Sequence, residues 1–564
     1  MSFGSLSGWY NAGIMLLGLS SERATKHIWY SRHCGLSEQA TKHKEKMFKR
    51  STCFLRIAPF LFLLLLICPI GLANSSKAAN NYACISRKSS YNDEVLVLSK
   101  DMLRNMSAGK TEKYKNSYIR ILDSFDLKGE TIVIPDNSVL SFEGGQLRNG
   151  IIEGHNTPIR AGIENIFGEK TELKGSWVIT EVYPEWFGAK YNGADCTPAF
   201  AAVYKTCRNT NIKKIVLSEQ IYYTQTIVLS NRFYLTGSSK SRNATIVQYG
   251  SHPDLPLIKT DGEGGGHITI ENITVKSGGE RSAYTVNLTN VHSTTIENCS
   301  FEKDNKLNLS TPIDKNGIFI GRENGYTGHI YMTRFLKNRL NQCCVKIEGT
   351  DGYIAFNEIW GIDCLYGLCL ENSGNHMITS NQIIGGKEGC IYITGYCTAL
   401  KIYGNYFDGS SGANAVSVPY GIHSEVGTFT NNIISNNNFW HISGPAISLK
   451  SSNSDVILGN VFDDCDWNNG KTPDVEIKTV KNTSISSNVF VRTDSHGRTD
   501  KDISSPIIVG FYDKDQPPLI NGNTMNGTNY YTYSIYPLVK GQLKSTVKAA
   551  NNSSEYFGAA PISK

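Results

Sequence analysis

The chain has 564 residues, 40% hydrophobic and 19% charged, a composition that excludes intrinsic disorder and leaves room for several ordinary domains or one long repeat array. Its formal charge of +6 is unevenly placed: residues 1–73 carry nine Lys/Arg against three Asp/Glu, and the remainder carries 47 of each sign. A neutral body without a basic stripe excludes nucleic acid as a partner, because binding it needs Lys and Arg clustered against the phosphates.

The excess positive charge flanks the one long apolar run, residues 57–73 (IAPFLFLLLLICPIGLA), with Lys49, Arg50 and Arg56 before it and a polar stretch after it. That order, with Gly71 and Ala73 small enough for cleavage after Ala73, predicts an export signal. Two prolines in a short run suit a membrane-spanning helix less well, although an N-terminal anchor is the alternative. Because Met47 opens a conventional signal, residues 47–73 are expected to be the signal peptide and residues 1–46 an upstream extension outside the mature protein. The protein is therefore expected to be secreted, periplasmic or at the cell surface. Eleven cysteines follow Ala73, an odd number with no CxxC pair, so neither a zinc site nor a full disulfide framework is signalled. Most are expected to be small buried hydrophobes. Cys343 and Cys344 cannot both point inward from one strand.

Residues 74–125 read as an N-terminal cap with a helix over 93–106, covering an edge that would otherwise recruit other strands. Residues 131–161 then read as the first short strands, cut by Gly and Asn turns. At Tyr183 the sequence runs YPEWFGAKYNGADCTPAFAAVYKTC. This segment, centred on Phe187-Gly188-Ala189-Lys190, resembles the entry segment of the pectate-lyase-like superfamily, which contains rhamnogalacturonases, polygalacturonases and related lyases and epimerases. Where that family commonly has Gly-Asp-Gly and Thr-Asp-Asp, Asn192 to Thr197 stand here; Thr197 is expected to cap the following helix, with Pro198 in its first turn. The resemblance covers about residues 126–527 and implies an all-β fold, a right-handed single-stranded parallel β-helix, with residues 528–564 as a C-terminal cap or tail.

From about residue 268 one phrase recurs: apolar, two spacers, Asn, one spacer, apolar. Its eight clear copies centre on Asn338, Asn357, Asn381, Asn405, Asn437, Asn460, Asn488 and Asn523; Ile270 to Val275 and Ile296 to Phe301 are shorter variants. A short strand precedes each copy, and from its first inward residue (Val345, Leu368, Ile391, Ile422, Ile447, Val475, Ile508) to the next Asn is 12 to 15 residues. Length variation is thus confined to one corner of a coil, the mark of a solenoid. Asn suits a sharp bend because it tolerates positive φ, and stacked Asn side chains can satisfy one another in a ladder.

Alternation along these strands predicts two outward rows. The first is Lys346, Cys369, Tyr392, His423, Ser448, Glu476; the second is Glu348, Glu371, Thr394, Glu425, Lys450, Lys478. Like charges one coil apart, about 4.8 Å, repel and raise one carboxyl or demand a cation. Glu371, Glu348, Glu425 and His423 are therefore the candidate catalytic residues, and Tyr392, Lys346 and Lys450 the candidate substrate-binding ones. The charges also suit a solvated surface, with Glu425 and Lys450 paired across coils. The segment 408–420 is the candidate wall of a cleft. The catalytic Asp pairs and Gly-His-Gly of the polygalacturonase branch have no counterpart here: Asp463-Asp464 and His496 fall on loops. The resemblance implies a carbohydrate-active enzyme that cleaves an extracellular polysaccharide by hydrolysis or β-elimination, with Ca²⁺ held by the acidic cluster if it is a lyase. The alternative is a non-catalytic glycan-binding or surface-fibre solenoid.

Overall fold

The computed structural model describes residues 94–278, 282–303, 317–323, 325–362, 364–409, 417–425, 429–465, 472–492, 506–512, 516–527, 536–537, 548–550 and 553–555. The expected leader, the first part of the expected cap, His496 and most of residues 528–564 lie outside them.

Strands of two to nine residues, rich in Ile, Val and aromatics and often ended by Gly or Asn, cannot bury both faces alone; stacked, they close a continuous core. Three long sheets result, of 14, 14 and 13 strands, and each ladder in them is parallel. One coil shows the plan: Tyr366–Gly374 lies in what we call sheet 1, Met377–Thr379 in sheet 2, Gln382–Ile384 in sheet 3, and Gly389–Thr394 returns to sheet 1. The fold is the parallel β-helix that the sequence implies, its right hand following the rule for parallel crossovers. Inside, Phe407, Phe439, Phe462 and Phe490 stack with ring centroids 4.7, 5.0 and 4.7 Å apart.

The front end differs in detail from expectation. Glu94–Val97 is a strand, β1, paired with Ser117–Ile121, so this region supplies part of a coil as well as a cap. The helix α1 covers Lys100–Ser107, starting where Ser99 Oγ accepts from the Met102 N–H at 3.2 Å, and it buries Met102 and Met106. The second helix, α2 (Thr197–Asn209), has Cys196 rather than Thr197 at its N-cap, and Asp195 just before it braces the first turn: its Oδ1 accepts from Thr197 N at 2.8 Å and from Thr197 Oγ1 at 2.5 Å.

The asparagine phrase forms a buried ladder from Asn338 to Asn523. Asn381 donates from N and Nδ2 to Asn405 Oδ1 at 3.1 and 2.9 Å, and Asn405 does the same to Asn437 at 3.0 Å in both bonds. The left-handed backbone, however, belongs to the residue before each ladder Asn: Lys337, Phe356, Ser380, Asn436 and Ser487, with φ between 53° and 59°, and Gly404, Gly459 and Gly522. In the two shorter variants the Asn itself, Asn272 or Asn298, is left-handed, and Cys299 N–H donates to Asn338 Oδ1 at 2.9 Å where the ladder begins.

A second polar stack, not foreseen from sequence, lines the corner between sheets 1 and 2. There His376 Nδ1 accepts from Gly352 N–H at 2.8 Å, Asn432 Oδ1 from Leu400 N–H at 2.8 Å, and Asp455 Oδ1 from Asn432 N–H at 2.7 Å.

The ten cysteines among the described residues are buried. Cys343 joins the interior while Cys344 packs on the other side of its strand with Cys364, Tyr366 and Cys369. Burial pushes the Cys207, Cys299 and Cys369 thiols up to about 12.

Candidate functional site

Sheet 1 carries the expected rows on its outer face. Lys346, Cys369, Tyr392, His423, Ser448 and Glu476 stand in register, and Glu348 pairs with Glu371 and Glu371 with Thr394. One member of the inward series is corrected: Ile507, not Ile508, pairs with Val475 and is buried, and Ile508 stands outward in the Glu476 row.

The register brings Glu348, Glu371 and Lys346 into contact. Glu348 Oε2 accepts from the Arg322 N–H at 2.9 Å, and Glu348 shares a hydrogen bond with Glu371. Lys346 Nζ meets Glu371 Oε2 at 2.5 Å. Room for Glu348 depends on Gly321, where a Cβ would lie 3.0 Å from Glu348 Oε2. Burial, and next the hydrogen bond to Glu371, holds the Glu348 carboxyl above the usual range. Burial pushes Glu371 the same way, but the hydrogen bonds from Glu348 and Lys346 outweigh it and leave its carboxyl below that range. Two carboxyls whose surroundings drive them apart are a proton donor and a proton acceptor side by side. A bulge follows at once, with the register shifting after Glu348 so that Asn372 is the extra residue, a common device for re-aiming side chains beside functional groups.

Farther along the same face lies a second group. The His423 side chain, 6% exposed, sits with Nε2 3.7 Å from Glu425 Oε1 and Nδ1 3.9 Å from Glu388 Oε2. Its ring stacks on Tyr420 at 4.0 Å and lies 5.6 Å from Tyr392, which stacks on Tyr366 at 6.2 Å. Burial lowers the His423 pKa against the pull of Glu425 and Glu388. Toward the other end, Phe319 stacks on Tyr284 at 5.2 Å and lies under Lys346 Nζ at 5.7 Å. Rings and carboxyls thus share one strip along the solenoid axis.

Glu348, Glu371, Lys346 and Tyr392 come together, with His423 and Glu425 two coils from Glu371. Lys450 stands apart: it is exposed, and among the described residues Glu425 faces His423 rather than Lys450. Glu388, Tyr366 and Tyr420 are additions; Glu388 and Tyr420 lie at corners, where strand alternation assigns no direction. Residues 410–416 of the expected wall lie outside the described residues. The donor set does not fit Ca²⁺, which takes six to eight oxygens. One Glu371 oxygen is held by an ammonium, one Glu348 oxygen by the Arg322 N–H, and no three His, Cys, Asp or Glu among the described residues are grouped to share a metal.

No protein-family model matches the chain, and no curated protein matches it. Among solved structures it is similar to the Dettilon tailspike protein, with 16% identity and a TM-score of 0.44 over 67% of this chain and 68% of that one. DFA-IIIase from Arthrobacter chlorophenolicus A6 aligns at 12% identity and a TM-score of 0.41, over 62% of this chain and 94% of that one. The A-module of a mannuronan C-5 epimerase from Azotobacter vinelandii aligns at 15% and 0.38, over 66% and 99%. At these identities the likeness is one of fold.

Proposed function

We propose that the protein is exported and cleaves an acidic extracellular polysaccharide by β-elimination on the outer face of sheet 1. The observation that carries this reading is the contact of Glu348, whose carboxyl burial and Glu371 hold above the usual range, with Glu371, whose carboxyl Glu348 and Lys346 hold below it, on a strip of aromatic rings. Glycosidase carboxyls flank the scissile bond about 5 Å apart when retaining and about 6.5–9.5 Å when inverting. A pair in mutual contact leaves no such gap, but both members can serve one side of a sugar. Glu371 takes the proton from the carbon next to the uronate carboxyl, that electron pair forms the C=C bond, and the departing glycosidic oxygen takes the Glu348 proton. With Lys346 the trio is neutral overall, so a uronate is not repelled.

The test is to incubate the chain from Asn74 onward with acidic and neutral polysaccharides, following ultraviolet absorbance and reducing ends. Absorbance is expected to grow with a uronate polymer, and Glu371→Gln to slow it by about 10²–10⁴-fold. Reducing ends without absorbance would replace elimination by hydrolysis, and activity untouched in Glu348→Gln and Glu371→Gln would remove the site. The second reading, a non-catalytic glycan-binding solenoid, is favoured by the ring strip itself; binding without turnover, lost in Tyr392→Ala, would select it.

A further inference from the structure

Sheet 3 carries a different surface. Its outward row runs Trp360, Ile384, Asp408, Trp440, Asp463, Val491, and the row beside it Gln382, Tyr406, Asn438, Val461. Asp463, expected on a loop, instead ends the strand Val461–Asp463, so Asp408 and Asp463 stand one coil to either side of Trp440, about 10 Å apart at the strand spacing. Tyr406 stacks on Trp440 at 6.4 Å with rings 28° from parallel, and His441 lies nearly flat against Trp440 at 3.9 Å. His441 holds that place through a left-handed backbone (φ 52°), and its carbonyl passes so close to Gly409 that a Cβ there would lie 2.2 Å from it.

Cross-strand stacking for stability explains the contact between Tyr406 and Trp440. It does not explain a half-exposed indole bracketed by two carboxylates. Burial, and then the charge of Asp464, raises the Asp463 carboxyl, with His441 opposing. In these two rows from Gln382 to Asp463 the charged side chains are acidic, and Arg339, two coils before Gln382, is engaged over Trp360 at 5.6 Å and beside Glu358 at 3.6 Å. A uronate would meet repulsion here. An uncharged pyranose would not: its C–H face covers an aromatic ring, and its hydroxyls donate to carboxylates.

We propose that the outer face of sheet 3 around Trp440 is a binding site for an uncharged polysaccharide, separate from the sheet 1 face. The sugar rings lie on Trp440 and Tyr406, and a hydroxyl of the neighbouring unit donates to Asp463, while Asp408, 8% exposed, flanks the indole on its other side. The site holds the protein on a neutral glycan while sheet 1 works on an acidic one.

Native gel electrophoresis of the full chain through gels containing β-glucan, xylan, galactomannan, polygalacturonate or chitosan tests this. At least one neutral polymer is expected to retard the protein. Trp440→Ala, checked for folding by circular dichroism, should weaken that retardation about tenfold or more; Trp440→Phe should largely preserve it. Asp463→Asn supplies an independent variant expected to weaken it about threefold or more, a loss of one charge-assisted hydrogen bond. Glu371→Gln should leave it unchanged, which separates this site from the sheet 1 reading. The inference is overturned if no neutral polymer retards the chain, if only polygalacturonate or chitosan does, or if folded Trp440→Ala and Asp463→Asn are both retarded like the parent.

Discussion

Lys346 as well as Glu348 holds the Glu371 carboxyl below the usual range, and this gives the pair a pH signature. In the proposed elimination Glu371 acts as the base and Glu348 as the acid, so the rate should form a plateau whose limbs belong to the coupled pair. Lys346→Met removes the ammonium that stabilises the Glu371 carboxylate; the acid limb of kcat/KM is expected to move to higher pH, and an unmoved limb would detach Lys346 from the chemistry. Two other titrating residues act on stability instead. Burial pushes Asp455 up to about 6 from 3.8, so its contribution is fully present below the lower value and is lost as pH rises through about 6. Burial holds His376 down to about 4 from 6.5, so its contribution is present above 6.5 and is lost as pH falls toward about 4. Each is worth at most about 3 kcal/mol, and between pH 4 and 6.5 they oppose. Denaturant titrations of His376→Asn should show stability rising as pH falls through that window, where the parent stays nearly level. At this scale the sequence revealed much of the sheet 1 face, because alternation on a short strand settles the side. It failed at Glu388 and Tyr420, which sit on corners, and at Ile508, where the run Ile507-Ile508-Val509 has no alternation to set the register.

The recurring Asn phrase was legible as an element because its spacing holds while the loops vary. Its division of labour was not: the bend is made by the preceding residue, and the Asn is freed to join the ladder. Asn405→Leu would strand the Asn381 N–H, take from Asn381 Nδ2 one of its two acceptors and remove the amide donor to the Ile378 carbonyl, all buried, while the residue 405 N–H keeps its bond to Asn437 Oδ1. The expected loss is about 3 kcal/mol or more by chemical denaturation, since each unsatisfied buried group costs about 1–3 kcal/mol. Phe356 is the opposite case, a bulky side chain at φ 59°, 56% exposed, where coils farther along use Gly404, Asn436 or Gly459. Phe356→Asn should raise stability by about 1 kcal/mol, the cost of holding an ordinary side chain left-handed; an unchanged or lower unfolding midpoint would contradict this.

From Asn338 onward the ladder bonds join each coil to the next, so coils are countable units; nearer the front Arg242 reaches across three coils to the Lys337 carbonyl at 3.0 Å. Deleting residues 382–405, the 24 residues from beyond Asn381 through Asn405, removes one complete turn and lets Asn381 meet Asn437 directly. The shortened chain is expected to keep its far-ultraviolet dichroism and unfold cooperatively, while losing the proposed action on acidic polysaccharide, because Tyr392 and Glu388 leave with the turn. Loss of the fold would show that the coils are not interchangeable. The buried thiols have a further use. Cys196, Cys207, Cys299, Cys343, Cys364, Cys369, Cys390 and Cys397 lie at successive heights of the solenoid, shielded and, where burial has shifted them, far less reactive than an exposed thiol. Each can be modified only when its own stretch of the molecule opens. Mass-resolved alkylation over time would therefore read out, without any engineered probe, the order in which the solenoid unwinds.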